Sequence, residues 1–206
     1  AGPTREAIDP VRYVTNRSSG KMGYAIAEAA RARGAEVSLV SGPVSIPAPL
    51  GVDLVPVESS ADLCEAVLSR GEWADVVIQA AAPADFRPAQ MAESKIKKTG
   101  EGMTLVLENT TDIARELGRR KRPGQVLVAF AAETDDVLGN AEKKLEKKNA
   151  DLVVANDVSR ADAGFGVDTN AVTLITHAGK RKLPLMPKRE VADGILDAVA
   201  AICRGQ

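Results

Sequence analysis

Apolar residues recur along this chain in two rhythms. Asp75–Ala80, Gln125–Ala131 and Asp151–Ala155 are short, nearly unbroken apolar runs, and Ala35–Val40 reads as a further buried strand. Runs of that kind mark strands of a parallel sheet covered on both faces. Between them, apolar residues return every three or four positions. This predicts helices from Gly20 through Tyr24, Ile26, Ala27 and Ala30 to Gly34, from Ala61 to about Arg70, and from Thr110 or Thr111 to about Arg120. Two more are predicted over Asp135–Lys148 and Val191–Cys203. Gly34 suits a helix C-terminus, Ser60 suits the cap of the second helix, and Thr110 or Thr111 that of the third. Val52–Val57 reads as a shorter strand after the Pro-rich loop Ser45–Gly51. Met103–Glu108 alternates apolar and polar, the pattern of an antiparallel or edge strand. Ala171–Thr176 and Lys180–Leu185 flank His177-Ala-Gly as a C-terminal hairpin. Strand alternating with helix at this spacing predicts α/β architecture: a Rossmann-like, doubly wound, mostly parallel sheet in one domain over residues 1–206.

Two polar stretches interrupt the rhythm where such a sheet needs only short connections. The first is Asp9-Pro-Val-Arg-Tyr-Val-Thr-Asn-Arg-Ser-Ser-Gly-Lys-Met-Gly23. Ser18 or Ser19 can cap the following helix, and Gly20 and Gly23 let backbone and ligand approach closely. Free amides at a helix start attract phosphate or carboxylate, so Ser18, Ser19, Gly20 and Lys21 are candidate anion-binding residues. Arg12, Asn16 and Arg17, placed ahead of the cap, have no evident structural purpose. The second stretch runs from Ala81 to Lys98 and carries Asp85, Arg87, Lys95, Lys97 and Lys98. Loops of that length in compact domains are usually functional or mobile. The chain opens at Ala1-Gly-Pro-Thr-Arg without Met or an apolar strand, and we expect a strand upstream to have been removed.

Composition narrows the partners. A formal net charge of -1 provides no electrostatic drive toward nucleic acid or an anionic membrane, and 3% aromatic residues leave few base-stacking platforms. No apolar run approaches the length of a membrane span, and no signal segment opens the chain, which points to the cytoplasm. Asn16-Arg-Ser18 and Asn109-Thr-Thr111 match glycosylation sequons, without consequence in that compartment. Cys64 and Cys203 lack metal-type spacing and read as buried free thiols in helices.

Familiar chemistries fail one by one. A nicotinamide site wants an acid at the end of the second strand, where Leu39-Val40-Ser41-Gly42-Pro43 stands. A P-loop wants Gly at Thr15 and a hydroxyl at Met22. The single His sits in the hairpin turn, so no nucleophilic triad is supported. What remains is a set of cationic and amide side chains at the carboxyl ends of strands, suited to electrostatic handling of phosphates. Lys95-Ile-Lys-Lys98 read alone fits a solvated charge run equally well, and the lysines of Glu142–Lys148 read as a solvated helix face.

These stretches carry a family resemblance. Ala1-Gly-Pro-Thr-Arg-Glu, Asp9-Pro-Val-Arg-Tyr, Asn16-Arg-Ser-Ser-Gly-Lys-Met-Gly, Ala81-Ala-Pro-Ala-Asp-Phe-Arg-Pro, Lys95-Ile-Lys-Lys, Phe130-Ala-Ala-Glu-Thr and Ala155-Asn-Asp-Val follow in order over almost the whole chain. Together they resemble the phosphopantothenoylcysteine synthetase family, the second half of bacterial bifunctional coenzyme A biosynthesis proteins. The resemblance implies a CTP-dependent ligase joining 4′-phosphopantothenate to L-cysteine through an acyl-cytidylate, with Mg²⁺ or Mn²⁺. It also implies a homodimer and fusion to an N-terminal flavin-dependent decarboxylase.

By motif position, the resemblance implies that Asn16 binds the acyl-cytidylate, Arg12 serves the cysteine step and Lys95 neutralises phosphate in the first step. It assigns the nucleotide to Ala80, Ala81, Asp85, Lys95, Thr111, Asp112, Ile113, Ala114, Phe130, Lys144 and Lys148, with Ala82 near the substrate. Lys144 and Lys148 thereby leave the solvated face. Segment 87–108 becomes a flap and dimerisation element, since Met103–Glu108 has no evident neighbour within a parallel sheet. Pro83 and Thr110-Thr111 depart from the family pattern, where Val and Asn-Pro are usual. A nucleotide-binding module without amide-forming activity is the alternative reading.

Overall fold

The fold is seen in a computed structural model that describes residues 1–98, 100, 102–159 and 162–205. In chain order the elements are β1 (Arg5–Ala7), β2 (Tyr13–Thr15), α1 (Lys21–Ala32), β3 (Ser38–Ser41), β4 (Asp53–Pro56), α2 (Ser60–Gly71) and β5 (Val76–Gln79). There follow β6 (Phe86–Pro88), β7 (Leu107–Asn109), α3 (Ile113–Arg120), β8 (Val126–Glu133), α4 (Val137–Lys147) and β9 (Leu152–Asp157). The hairpin β10 (Thr169–Thr176) and β11 (Gly179–Pro187) leads into α5 (Lys188–Cys203).

The main sheet has five strands in the order β11-β10-β9-β8-β5. β5, β8 and β9 run parallel, while β10 is antiparallel to both its neighbours. β3 and β4 form a parallel pair. Residues 1–3 lie between that pair and β5. Gly42 N–H donates to Ala1 O at 3.0 Å, Ala82 N–H donates to Gly2 O at 2.9 Å, and Pro3 bridges Ala82 in parallel. These residues fill the upper end of the place a doubly wound sheet gives its central strand.

Alternation along β8 shows how the layers form. Val126 and Val128 face one core with Ile26 and Ala29 of α1 and Val191, Ile195 and Val199 of α5. Leu127, Ala129 and Ala131 face the other, with Leu63 of α2, Ile113 and Leu117 of α3, and Ala141 and Leu145 of α4. Successive strand residues point to opposite faces, so a strand apolar at every position must be covered twice. β8 and β9 are buried almost throughout, whereas β5, expected to be covered likewise, is half-buried.

Several boundaries differ from expectation. Ser59, not Ser60, caps α2 in a reciprocal box with Asp62, and Ser60 N–H instead donates to buried Glu6 at 2.8 Å. Asp112, not a threonine, caps α3. Neither Ser18 nor Ser19 caps α1: Gly20 takes that place at φ 77, a left-handed conformation that glycine adopts without strain. α5 starts at Lys188, three residues before the expected Val191, because β11 runs on to Pro187 and leads directly into it. Within 103–108 only Leu107 and Glu108 are strand, and they pair with β6 of the same chain, so the expected lone edge has a neighbour. Cys203 is exposed and Cys64 half-buried, against the expected burial. Thr99 and Glu101, part of the expected flap, lie outside the described residues.

Candidate functional site

Above the carboxyl ends of β5 and β8, where chain order reverses between residues 1–3 and β5, the surface opens into a cleft of about 500 Å³. Open α/β sheets bind ligands at this switch point. Its floor is made of small side chains: Ala80, Ala81, Ala82, Ala84, Ala114, Ala129 and Ala132. The floor loop is pinned from both sides. Ala84 N–H donates to the buried Thr4 hydroxyl at 2.9 Å, and Thr110 Oγ1 donates to Ala84 O at 2.6 Å. Pro83 therefore sits in a loop already fixed by its neighbours, and Thr110 spends its hydroxyl on structure.

At one end, α3 points its N-terminus at the cleft through Thr111, Asp112, Ile113 and Ala114. Lys144 on α4 and Lys148 at its C-terminal cap stand opposite with Phe130 and Asp85. Lys144 Nζ donates to Phe130 O at 2.7 Å, and Lys148 ion-pairs with Asp112. Burial pushes the Lys144 ammonium below its usual range, against the pull of Glu133, Asp112 and Asp85. Burial also opposes ionisation of Asp112. The bonds from Lys148 and the Arg115 amide outweigh it and hold the carboxyl below its ordinary value. A partly desolvated lysine pair beside a helix N-terminus suits a polyphosphate.

The other end is built from the start of α1. Ser18, Ser19, Gly20 and Lys21 line it, and no side chain caps the helix. Loop 164–168 closes over it. Ser19 Oγ donates to Phe165 O, and Lys21 Nζ donates to Gly166 O at 3.0 Å and Asp168 Oδ1 at 2.7 Å. Lys188, at the first turn of α5, donates to Gly164 O at 2.7 Å and to Val167 O. Its burial, reinforced by Lys21, pulls its pKa down to about 8. Asn156 and Asn170, both buried, complete this wall.

The structure thus gathers Ala80, Ala81, Ala82, Asp85, Thr111, Asp112, Ile113, Ala114, Phe130, Lys144 and Lys148 with Ser18, Ser19, Gly20 and Lys21 around one cleft. Three expected residues stand apart from its lining. Asn16 lies just behind: its Nδ2 donates to Ala82 O, and its Oδ1 accepts from Ser18 N–H at 3.0 Å, tying the two loops together. Arg12 ion-pairs with the buried Asp9, and its Nη2 donates to Ile96 O at 3.0 Å. Arg12 and Asn16 therefore do have structural partners, which their sequence positions did not reveal. Lys95, next to Ile96, is exposed beside Arg12 rather than at the cleft.

Sequence reasoning passed over Gln79, Asn156, Phe165, Asn170 and Lys188. Gln79 lines the cleft at the end of β5, and its Oε1 is buried without a hydrogen-bond partner among the described residues. Asn156 follows the last apolar residue of β9, and a strand-end rule would have flagged it. For a divalent metal, Asp85 and Asp112 are the carboxylates in the cleft, and no cluster of three or more His, Cys, Asp or Glu exists among the described residues. One or two carboxylates plus substrate phosphates is the donor set magnesium takes.

An open sheet covered by helices on both faces, with lysines and a helix start converging on a switch-point cleft, defines an α/β protein with a cleft whose chemistry suits phosphate-bearing ligands. Comparison with known proteins narrows this class. Residues 1–202 match the family described as DNA/pantothenate metabolism flavoprotein C-terminal domain, and the chain belongs to that family. It is 55% identical over 206 residues to the coenzyme A biosynthesis bifunctional protein CoaBC of Bacillus subtilis, covering 99% of this chain and 50% of that protein. The Escherichia coli CoaBC is 44% identical, with 97% and 50% covered. The chain therefore spans about half the length of these relatives. The crystal structure of the C-terminal domain of a CoaBC superposes with a TM-score of 0.85 at 46% identity, covering 100% of this chain and 94% of that one. A Cab2 mutant in complex with phosphopantothenate-cysteine shares the fold, with a TM-score of 0.83 at 17% identity over 100% of this chain and 85% of that one.

Proposed function

We propose that this domain is a phosphopantothenate–cysteine ligase of coenzyme A biosynthesis that uses CTP. The observation that carries the reading is the two-ended cleft: a lysine pair facing a helix N-terminus at one end, a second helix start with its own lysines at the other, and a small-residue floor between them. Kinship with bifunctional CoaBC proteins supports the same reading.

In the first step a carboxylate oxygen of 4′-phosphopantothenate attacks the α-phosphorus of CTP. The bond to the bridging oxygen breaks, and pyrophosphate leaves. In the second, the cysteine amine attacks the acyl carbon of the cytidylate, CMP departs, and the amine gives up a proton. Lys144 and Lys148 hold the triphosphate, and the α3 N-terminus adds its amides. The α1 start with Ser18, Ser19 and Lys21 takes the phosphate of phosphopantothenate. Asn16 holds the acyl-cytidylate, Lys95 neutralises phosphate during the first step and Arg12 serves the cysteine transfer. Asp85 or Asp112, together with the phosphates, would hold Mg²⁺ or Mn²⁺, which would supply charge neutralisation there.

The enzyme works in the cytoplasm as a homodimer joined to an N-terminal flavin-dependent decarboxylase. Among the described residues no helix is long and apolar enough to cross a membrane. Phe86, Met91, Met103 and Val106 are 51–68% exposed on one segment, an apolar surface that a second copy would cover. The relatives are bifunctional and twice as long, which supports the fusion. Incubation with CTP, phosphopantothenate and cysteine, following pyrophosphate and amide product, tests the activity. Pyrophosphate should require phosphopantothenate but not cysteine. Better turnover with ATP, or nucleotide binding without product, would overturn the reading.

A further inference from the structure

We propose that Asp9 is a positioning residue whose second carboxylate oxygen holds the Lys95 segment in place. The proposal rests on the role given to Lys95 above, while its geometry stands independently of that role.

The two oxygens of Asp9 have separate tasks. Oδ1 accepts the N–H groups of Val11 and Arg12, both at 2.9 Å, which closes the turn between β1 and β2. Any acceptor at that position, including an Asn carbonyl, would serve the turn. Oδ2 instead accepts Arg12 Nε at 3.0 Å, Arg12 Nη2 at 2.5 Å and Ile96 N–H at 3.1 Å. Arg12 Nη2 also donates to Ile96 O at 3.0 Å, so this one peptide residue is gripped on both sides, its N–H by the carboxylate and its C=O by the guanidinium. A third bond, Ala92 N–H to Ile8 O at 3.0 Å, fixes the segment further upstream.

The Asp9 side chain is fully buried, with 0% exposure against 42% for Arg12. A buried carboxylate is costly unless paired and hydrogen-bonded, and the bond from Arg12, chief among several, holds it well below the usual carboxylate range. A turn alone does not require a buried charge. The charge is needed to orient Arg12 and to draw in the Ile96 amide, and Lys95 is the next residue along. Segment 91–98 has no strand or helix of its own, so its placement depends on these contacts. The Asp9–Arg12 pair thereby sets how far the Lys95 ammonium can travel and from which side it reaches a phosphate.

Asp9→Asn separates the tasks. It keeps an acceptor for the turn and places an NH₂ where Oδ2 faced three donors. Hydrogen–deuterium exchange of the intact chain should show the Ile96 amide protected in the wild type and exchanging about tenfold faster or more in the variant, the scale of one charge-assisted bond. This reading needs no activity, so it stands even if the ligase assignment fails. Where the variant does not fold, an unprotected Ile96 amide in the wild type would still overturn the latch. In the activity arm, single-turnover pyrophosphate release should fall about tenfold in Asp9→Asn, on the same scale. The double variant with Lys95→Gln should be no slower than Lys95→Gln alone, because both act through one ammonium. Losses that multiply, or unchanged release beside a loosened Ile96 amide, would show that the latch does not act through Lys95; an Ile96 amide exchanging at the wild-type rate in Asp9→Asn would show that Asp9 serves the turn only.

Discussion

Gly118 offers the sharpest test of how the scaffold sets the α3–α4 end of the cleft, where the nucleotide is proposed to bind. It is buried on α3, where that helix crosses the end of α4. A Cβ there would lie 1.8 Å from Lys148 O, 2.7 Å from its carbonyl carbon and 3.3 Å from Asn149 Cβ. Carbon and carbonyl oxygen need about 3.3 Å even in their closest favourable contacts. Gly118→Ala therefore forces the joint apart by about 1.5 Å, against backbone that cannot rotate away. The same joint carries Asn149 Nδ2 to Gly118 O at 3.0 Å and Lys121 Nζ to Asn149 O at 2.8 Å, so these bonds stretch together. Overpacking costs roughly 1–3 kcal/mol, and a backbone obstacle places this case at the upper end. Each kcal/mol lowers the melting temperature of a chain this size by about 2–4 °C, which predicts a drop of about 6–12 °C by circular dichroism. Because Lys148 moves with its carbonyl, KM for the nucleotide should rise more than kcat falls. Gly102→Ala, with nothing within 4 Å of the added carbon, is the control and should melt like the wild type. A Gly118→Ala protein melting within 2 °C of wild type, a shift of less than about 1 kcal/mol, would refute the reasoning.

Three further outcomes are expected. Ser59→Ala removes the acceptor of Asp62 N–H at 3.1 Å and should cost about 1 kcal/mol, or 2–4 °C in melting temperature, with unchanged activity. Asn16→Ala deletes a donor to Ala82 O and Asn16→Asp sets a carboxylate against it, so amide formation should fall on the order of 10²-fold, further for Asp; near-wild-type rates would remove Asn16 from the mechanism. Burial lowers the Lys188 pKa from an ordinary 10.5 to about 8, so between these values the unfolded chain holds more protons and stability rises with pH. Lys188→Met should lose that rise, seen as a urea midpoint difference that widens in favour of wild type from pH 8 to 10.5; a constant difference would argue against it.

The helices and buried strands were legible because their periods persist over many residues. β1, β2 and β6 are three residues each, too short to show a period, and all three were missed. The α2 cap lies one residue before the expected Ser60, and the sequence carries its signal: Asp62 stands three residues after Ser59, which fits a capping box, whereas Leu63 stands three after Ser60. Most cleft residues were legible through strand ends and motif order. Lys188 is hidden in the sequence because the helical period of α5 becomes visible only from Val191, after the β11 residues that lead into it. The joining of Arg12 to Ile96, 84 residues away, has no local signature at all.

The alanine floor has a consequence for inhibition. Room for a ligand there comes from side chains left out, so a compound lying on Ala80, Ala81 and Ala82 would meet mainly main-chain atoms and methyl groups. Apart from proline, which would also fix φ in the pinned floor loop, no single substitution deletes a peptide N–H. Resistance at the floor would have to add bulk, as in Ala81→Val, and the added methyl groups would fill the same space the natural ligand needs. Selection against such a compound, in a host that depends on this chain, should return changes in drug entry or protein abundance rather than in the floor.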